Sequence, residues 1–137
     1  MTSESAPIRH DLPERTFEFA RRVVVLCQAT DQTPGVSRTL ANQLLRAGIS
    51  IGANVEEGQA SQSRADFTSK YAIACKEARE THYWLRLVGA TGIVERGSLE
   101  SLVDEASQLI AILTTIVKKT RQPAPDRAEE RRVKSEE

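Results

Sequence analysis

Residues 98–121 read SLESLVDEASQLIAILTTIVKKTR, and their pattern decides the class of fold. Leu99, Leu102, Val103, Ala106, Leu109, Ile110, Leu113, Ile116 and Val117 recur at intervals that place them in one broad stripe on an α-helix. Glu100, Asp104 and Glu105 come early and Lys118, Lys119 and Arg121 late, the order that complements the helix dipole. Ser98 is the expected N-cap. A β-strand would need alternation, and none persists here or elsewhere in the chain.

Working outward, three more segments carry the same periodicity. Ser63 with Asp66 is expected to open a helix on which Phe67, Tyr71, Ala74, Ala78 and Leu85 share a narrow sector, with Gly89 and Gly92 ending it. Before it, Ser37 is the expected cap of a helix that carries Leu40, Leu44, Ala47, Ile51 and Val55 on one face and stops near Gly58. The first helix is expected from about Asp11 to Thr30, with Pro13 tolerated in the first turn and Thr33, Pro34 and Gly35 as the breaker; Phe17, Ala20 and Val24 are its expected core stripe. Connections this short favour antiparallel neighbours, so the expected fold is all-α: an antiparallel up-down four-helix bundle over residues 11–121. Residues 1–10 and the tail 122–137, QPAPDRAEERRVKSEE, lack apolar periodicity and are expected to be disordered.

Composition narrows the function. The 137 residues contain 19 Lys plus Arg against 19 Asp plus Glu, so the whole chain lacks the positive field of a general nucleic-acid binder. No uncharged run approaches the roughly 20 residues that cross a bilayer. The opening MTSESAPIRHD has no signal-peptide pattern, and a cytoplasmic location is expected. Cys27 and Cys75 form no CxxC pair and sit in apolar-periodic segments, as small core residues do.

Two helices show a second apolar face. Ile73, Trp84 and Leu87, with Tyr83 beside them, stand opposite the Phe67–Leu85 stripe; Leu12, Phe19, Val23 and Leu26 stand away from Phe17, Ala20 and Val24. A monomeric bundle needs one stripe per helix, so a homo-oligomer is expected, with tryptophan at the interface. Glu77 and Glu80 flank the stripe of the third helix, and Gln43, Arg46, Ser50, Asn54 and Glu57 form a polar line on the second. Arg46 is the expected partner of Glu77 or Glu80. Gly48 and Gly52 imply that a neighbouring helix comes close to the second.

Catalytic and cofactor chemistry find no purchase. A di-iron bundle needs Glu-x-x-His pairs, whereas His82 follows Glu80 by two residues; no HExxH and no glycine-rich phosphate loop occurs. Neither an enzyme, a metal site nor a cofactor is expected. One side of the third helix carries Lys76, Arg79, Tyr83 and Arg86, three cations and a ring that could neutralise phosphates and stack on an unpaired base.

Residues 43–54 (QLLRAGISIGAN), 63–67 (SRADF) and 76–85 (KEARETHYWL) together resemble the bacterial four-helix-bundle proteins encoded within intervening sequences of large-subunit ribosomal RNA genes. The resemblance implies a bundle that assembles into a ring, commonly a pentamer, with no known catalytic activity. The family's motif positions fall here on Arg46, Ser50, Asn54, Phe67, Glu77, Glu80 and Trp84, which look architectural. A relative, the accessory variability determinant of diversity-generating retroelements, resembles a basic pentamer that binds nucleic acid and a reverse transcriptase; this chain departs from it in being neutral. Two readings stay open: an oligomeric scaffold for a protein partner, and a nucleic-acid-binding accessory factor.

Overall fold

Four α-helices make up the regular structure of residues 11–121, the residues that the computed structural model describes, and no strand occurs among them. They are α1 (Leu12–Thr30), α2 (Val36–Gln59), α3 (Arg64–Ala90) and α4 (Arg96–Arg121). The expectations for residues 1–10 and 122–137 fall outside the described residues.

The caps only partly follow the sequence signals. Ser63 Oγ accepts from the Asp66 amide at 3.0 Å and opens α3 as expected. Asp11 precedes α1 without a side-chain cap bond. Helix α2 starts from Gly35, at φ +94°, so Ser37 lies inside its first turn and does not cap it. Helix α4 begins two residues ahead of the expected Ser98, which instead donates its amide to Glu95 O. At the other end of the α3–α4 connection Gly92 adopts φ +77°, a left-handed conformation suited to glycine.

Side-chain contacts give the direction of every neighbouring pair. Val23 and Thr16 on α1 meet Gly48 and Gly52 on α2. Arg46 on α2 meets Glu80 on α3, and Gln59 meets Tyr71. Cys75 and Arg64 on α3 meet Thr114 and Thr120 on α4. Arg15 and Arg22 on α1 meet Glu105 and Ser101 on α4. In each case the numbering rises on one helix as it falls on the other, so the four described helices form an antiparallel up-down bundle. The α1–α4 seam is the looser one, and polar side chains bridge it: Arg15 holds Glu105 through two parallel bonds of 3.0 and 2.8 Å.

The core corrects one sequence expectation. On α1 the buried face is Leu12, Thr16, Phe19, Val23 and Cys27, and Phe17 is 65% exposed. The stripe assigned to a second face is the core, and part of the expected core lies outside. Both faces of α1 are apolar, so periodicity finds two stripes without ranking them. Elsewhere Leu44, Ile51 and Val55, Tyr71, Ala74, Ala78 and Leu85, and Leu99, Leu102, Ala106, Leu109 and Leu113 are buried as expected. Cys27 is buried and donates to Ala41 O at 3.3 Å; burial pushes its thiol up to about 11.

Glycines set the α1–α2 and α2–α3 distances. A Cβ on Gly48 would come within 2.8 Å of Val23 Cγ1, and one on Gly58 within 2.6 Å of the Tyr71 ring. That close approach offsets the conformational cost of glycine within a helix.

Candidate interaction surfaces on helices α2 to α4

The α2–α3 edge holds a polar clasp. Arg46 Nη2 donates to Glu80 Oε2, and Arg46 Nη1 lies 3.5 Å from Glu77 Oε1. Trp84, one turn beyond Glu80, donates its indole N–H to the same Oε2 at 3.0 Å. This hydrogen bond is the largest influence on the Glu80 carboxyl; burial opposes it, and the Arg46 bond and charge add to it, so that the carboxyl is held below its ordinary value. Glu77 is more enclosed: its side chain is 13% exposed, against 50% for Arg46, and Oε1 is buried without a hydrogen-bond partner. Gln43 steadies Arg46 by accepting from Nη2 at 3.1 Å.

The remaining family motif positions are local. Ser50 donates to Arg46 O at 2.7 Å and Asn54 to Ser50 O at 2.8 Å, both within α2. Phe67 stacks on Tyr71 with ring centroids 4.1 Å apart, half-buried at the end of the bundle. Ile73, 38% exposed, is not in the clasp and lines a groove on the outer side of α3.

The cationic stripe is present on one side of α3. Lys76, Arg79, Tyr83 and Arg86 are all exposed, and Arg86 Cζ sits 5.9 Å from the Tyr83 ring centroid, within reach of a cation–π contact. Tyr83 also meets Trp84 edge to face at 5.1 Å. Arg79 leans towards α4, where Nη2 approaches Thr114 Oγ1 at 3.4 Å.

A groove of about 740 Å³ opens where α3 begins and α4 ends. Arg64, Lys76 and Arg121 line it, with Thr68, Ser69 and Ile73, and among the described residues no carboxylate does. Arg64 also satisfies the last carbonyls of α4, donating to Thr120 O at 2.9 Å and Lys119 O at 3.2 Å. Sequence reasoning missed this groove, which exists only because antiparallel packing brings residues 64 and 120 together. Among the described residues no group of three or more His, Cys, Asp or Glu is placed to hold a metal ion, and no helix is long and apolar enough to cross a membrane.

The fold and these surfaces define an all-α four-helix-bundle protein whose distinctive residues are interhelical clasps and exposed apolar and cationic faces. The chain belongs to the 23S rRNA-intervening sequence protein family, whose model matches residues 10–115. A crystal structure of a protein of unknown function from the S23 ribosomal protein family of Bacteroides thetaiotaomicron is similar, with 40% identity and a TM-score of 0.71 over 77% of this chain and 97% of that one. No curated protein matches.

Proposed function

We propose that this protein is a non-catalytic, self-associating bundle, located in the cytoplasm, that serves as a scaffold for a protein partner. The assembly is a ring, with five copies as the family resemblance implies. The observation that carries this reading is the exposure of large apolar side chains on α1 and α2: Phe17 is 65% and Ile49 43% exposed. Each follows a residue of the tight α1–α2 contact, Thr16 and Gly48, and neither is gathered into the core of its own subunit. Burying such a side chain between copies contributes about 1.5–3 kcal/mol. Sedimentation equilibrium at micromolar concentration should give a mass several times 15.2 kDa. Phe17→Glu with Ile49→Lys should reduce it while leaving helicity intact; a monomeric parent chain would sink the reading.

The Arg86–Tyr83 contact favours a second reading, an accessory factor that binds RNA or DNA, of the kind associated with a reverse transcriptase. The stripe has cations and one ring but few groups for reading base edges, so binding is weak, sequence-tolerant and salt-sensitive. Gel shifts with single-stranded RNA and DNA across a salt series test it. Lys76→Glu, Arg79→Glu and Arg86→Glu together should abolish any shift, and undiminished binding would return the stripe to an ordinary solvated face.

A further inference from the structure

A second groove, of about 550 Å³, lies between α3 and α4 at the opposite end of their seam, where α3 ends and α4 begins. Leu85, Gly89, Leu99 and Val103 give it an apolar lining, and the glycine keeps it open: a Cβ on Gly89 would come within 3.0 Å of Leu99 Cδ1. Arg86 and Glu100 also line it and are exposed, and neither makes an ion pair among the described residues. An apolar hollow edged by one charge of each sign suits an occupant that is apolar at its centre and carries both signs beside it.

The outer side of α1 has that composition. Phe17 and Val25 stand exposed there, eight residues apart, or about 12 Å along the helix axis. Glu18 and Arg21 lie between them as an exposed ion pair of 2.6 Å. Phe17 cannot enter the groove of its own chain, because α1 packs on α2 and α4 and makes no contact with α3 among the described residues.

The heights match as well. Arg15 bonds Glu105 and Arg22 bonds Ser101, so residues 15–22 of α1 stand level with residues 101–105 of α4, inside the stretch 96–107 that lines the groove. On α3, Cys75 meets Thr114, which puts Arg86 about level with residue 103 of α4. Two copies set side by side and pointing the same way therefore bring Phe17 opposite the groove without sliding along the axis. Glu18 then comes to the height of Arg86 and Arg21 to that of Glu100, so opposite charges meet on both counts.

We propose that a second copy of this chain fills the groove: the Phe17–Val25 face of α1 docks between α3 and α4 of its neighbour, with Phe17 against Leu99 and Val103 and with Glu18 and Arg21 facing Arg86 and Glu100. This inference rests on the self-association reading and names the surface that receives its exposed face. Because the projecting face and the groove are different surfaces, the contact is heterologous, and every copy offers one of each until the assembly closes. The matched heights favour closure into a ring over growth into a filament.

Mixing two crippled full-length chains tests the contact. Phe17→Glu spoils the projecting face and leaves the groove, whereas Val103→Glu spoils the groove and leaves the face. Each alone should sediment as a monomer, with helicity retained by circular dichroism. Mixed in equal amounts, they should form a 1:1 complex of twice the 15.2 kDa chain mass and nothing larger, since they share a single intact contact. Ala90→Arg, exposed at the end of α3 and lining the groove, replaces Val103→Glu should that chain lose helicity. A mixture that stays monomeric would overturn the proposal and point to like faces meeting instead. A groove variant that assembles as the parent does would also overturn it, leaving self-association standing and the groove to another occupant. A monomeric parent chain would overturn both.

Discussion

Trp84 donates its indole N–H to Glu80 Oε2 at 3.0 Å, and it is on this oxygen that Arg46 closes from the neighbouring helix. Glu80 is therefore the node of the α2–α3 edge: one oxygen accepts from an aromatic on its own helix and from a guanidinium across the seam. Glu77, a turn earlier, is more deeply placed but less well served, with Arg46 supplying charge at 3.5 Å and no hydrogen bond reaching its buried Oε1. The division orders the energetics. Glu80 carries the directional bonds, while Glu77 sits enclosed with only the Arg46 charge nearby to offset its desolvation.

Removing Arg46 should cost about 1–2 kcal/mol. The loss is smaller than for a fully buried pair because Arg46 is half-exposed, and larger than for a free surface pair because Glu77 would be left enclosed. Denaturant unfolding of Arg46→Ala, Glu80→Ala, Glu77→Ala and the two double variants gives both couplings. The Arg46–Glu80 coupling should be about 0.5–1 kcal/mol and exceed the Arg46–Glu77 value. Near-zero coupling in both cycles would dissolve the clasp into ordinary surface charge.

The same node predicts an acid limb in stability. Hydrogen bonding from Trp84, then from Arg46, lowers the Glu80 pKa in the folded protein, so the unfolded chain takes up its proton first as pH falls. The stabilisation is fully present above the ordinary value of 4.5 and disappears as pH drops through the lower folded value. Glu18, paired with Arg21, shifts in the same direction, so the measurement must be a difference between chains. Unfolding free energies of the parent and Glu80→Gln should converge between pH 7 and 3, and Trp84→Phe should shrink the effect. A gap that does not change with pH would show that Glu80 titrates alike in the folded and unfolded chains.

Four helices and the Arg46 clasp were legible because each rests on short-range regularities. Apolar positions at intervals of three and four define the helices, and the short connection between Gln59 and Arg64 fixes how residues 46 and 80 can face each other. The active face of α1 was not legible, since Phe17, Ala20 and Val24 form as good a stripe as Phe19, Val23 and Cys27, and only the neighbours decide which one is buried. Arg15 and Glu105 were missed for a different reason. They stand 90 residues apart on the flanks of the first and last helices, and nothing in either segment announces that bundle closure will join them. The α3–α4 groove was likewise hidden, being a property of helix ends and not of any helix face.

Gly48 was legible, and its replacement gives the sharpest test of packing. A Cβ there would lie 2.8 Å from Val23 Cγ1 and 3.1 Å from Cγ2, and Val23 is fully buried with a β-branched side chain that has little rotamer freedom. Gly48→Ala gains about 1 kcal/mol in helix propensity. Overpacking of a filled core costs about 1–3 kcal/mol, so the net effect in the parent chain should be a loss of about 1 kcal/mol. Trimming Val23 to alanine is itself destabilising, yet it removes the atoms that the new methyl would strike. In the Val23→Ala background Gly48→Ala should therefore turn neutral or stabilising, and the four chains should show a coupling of at least about 1 kcal/mol. If Gly48→Ala stabilised the parent as much as the Val23→Ala chain, α1 and α2 would not be held at the distance set by this glycine.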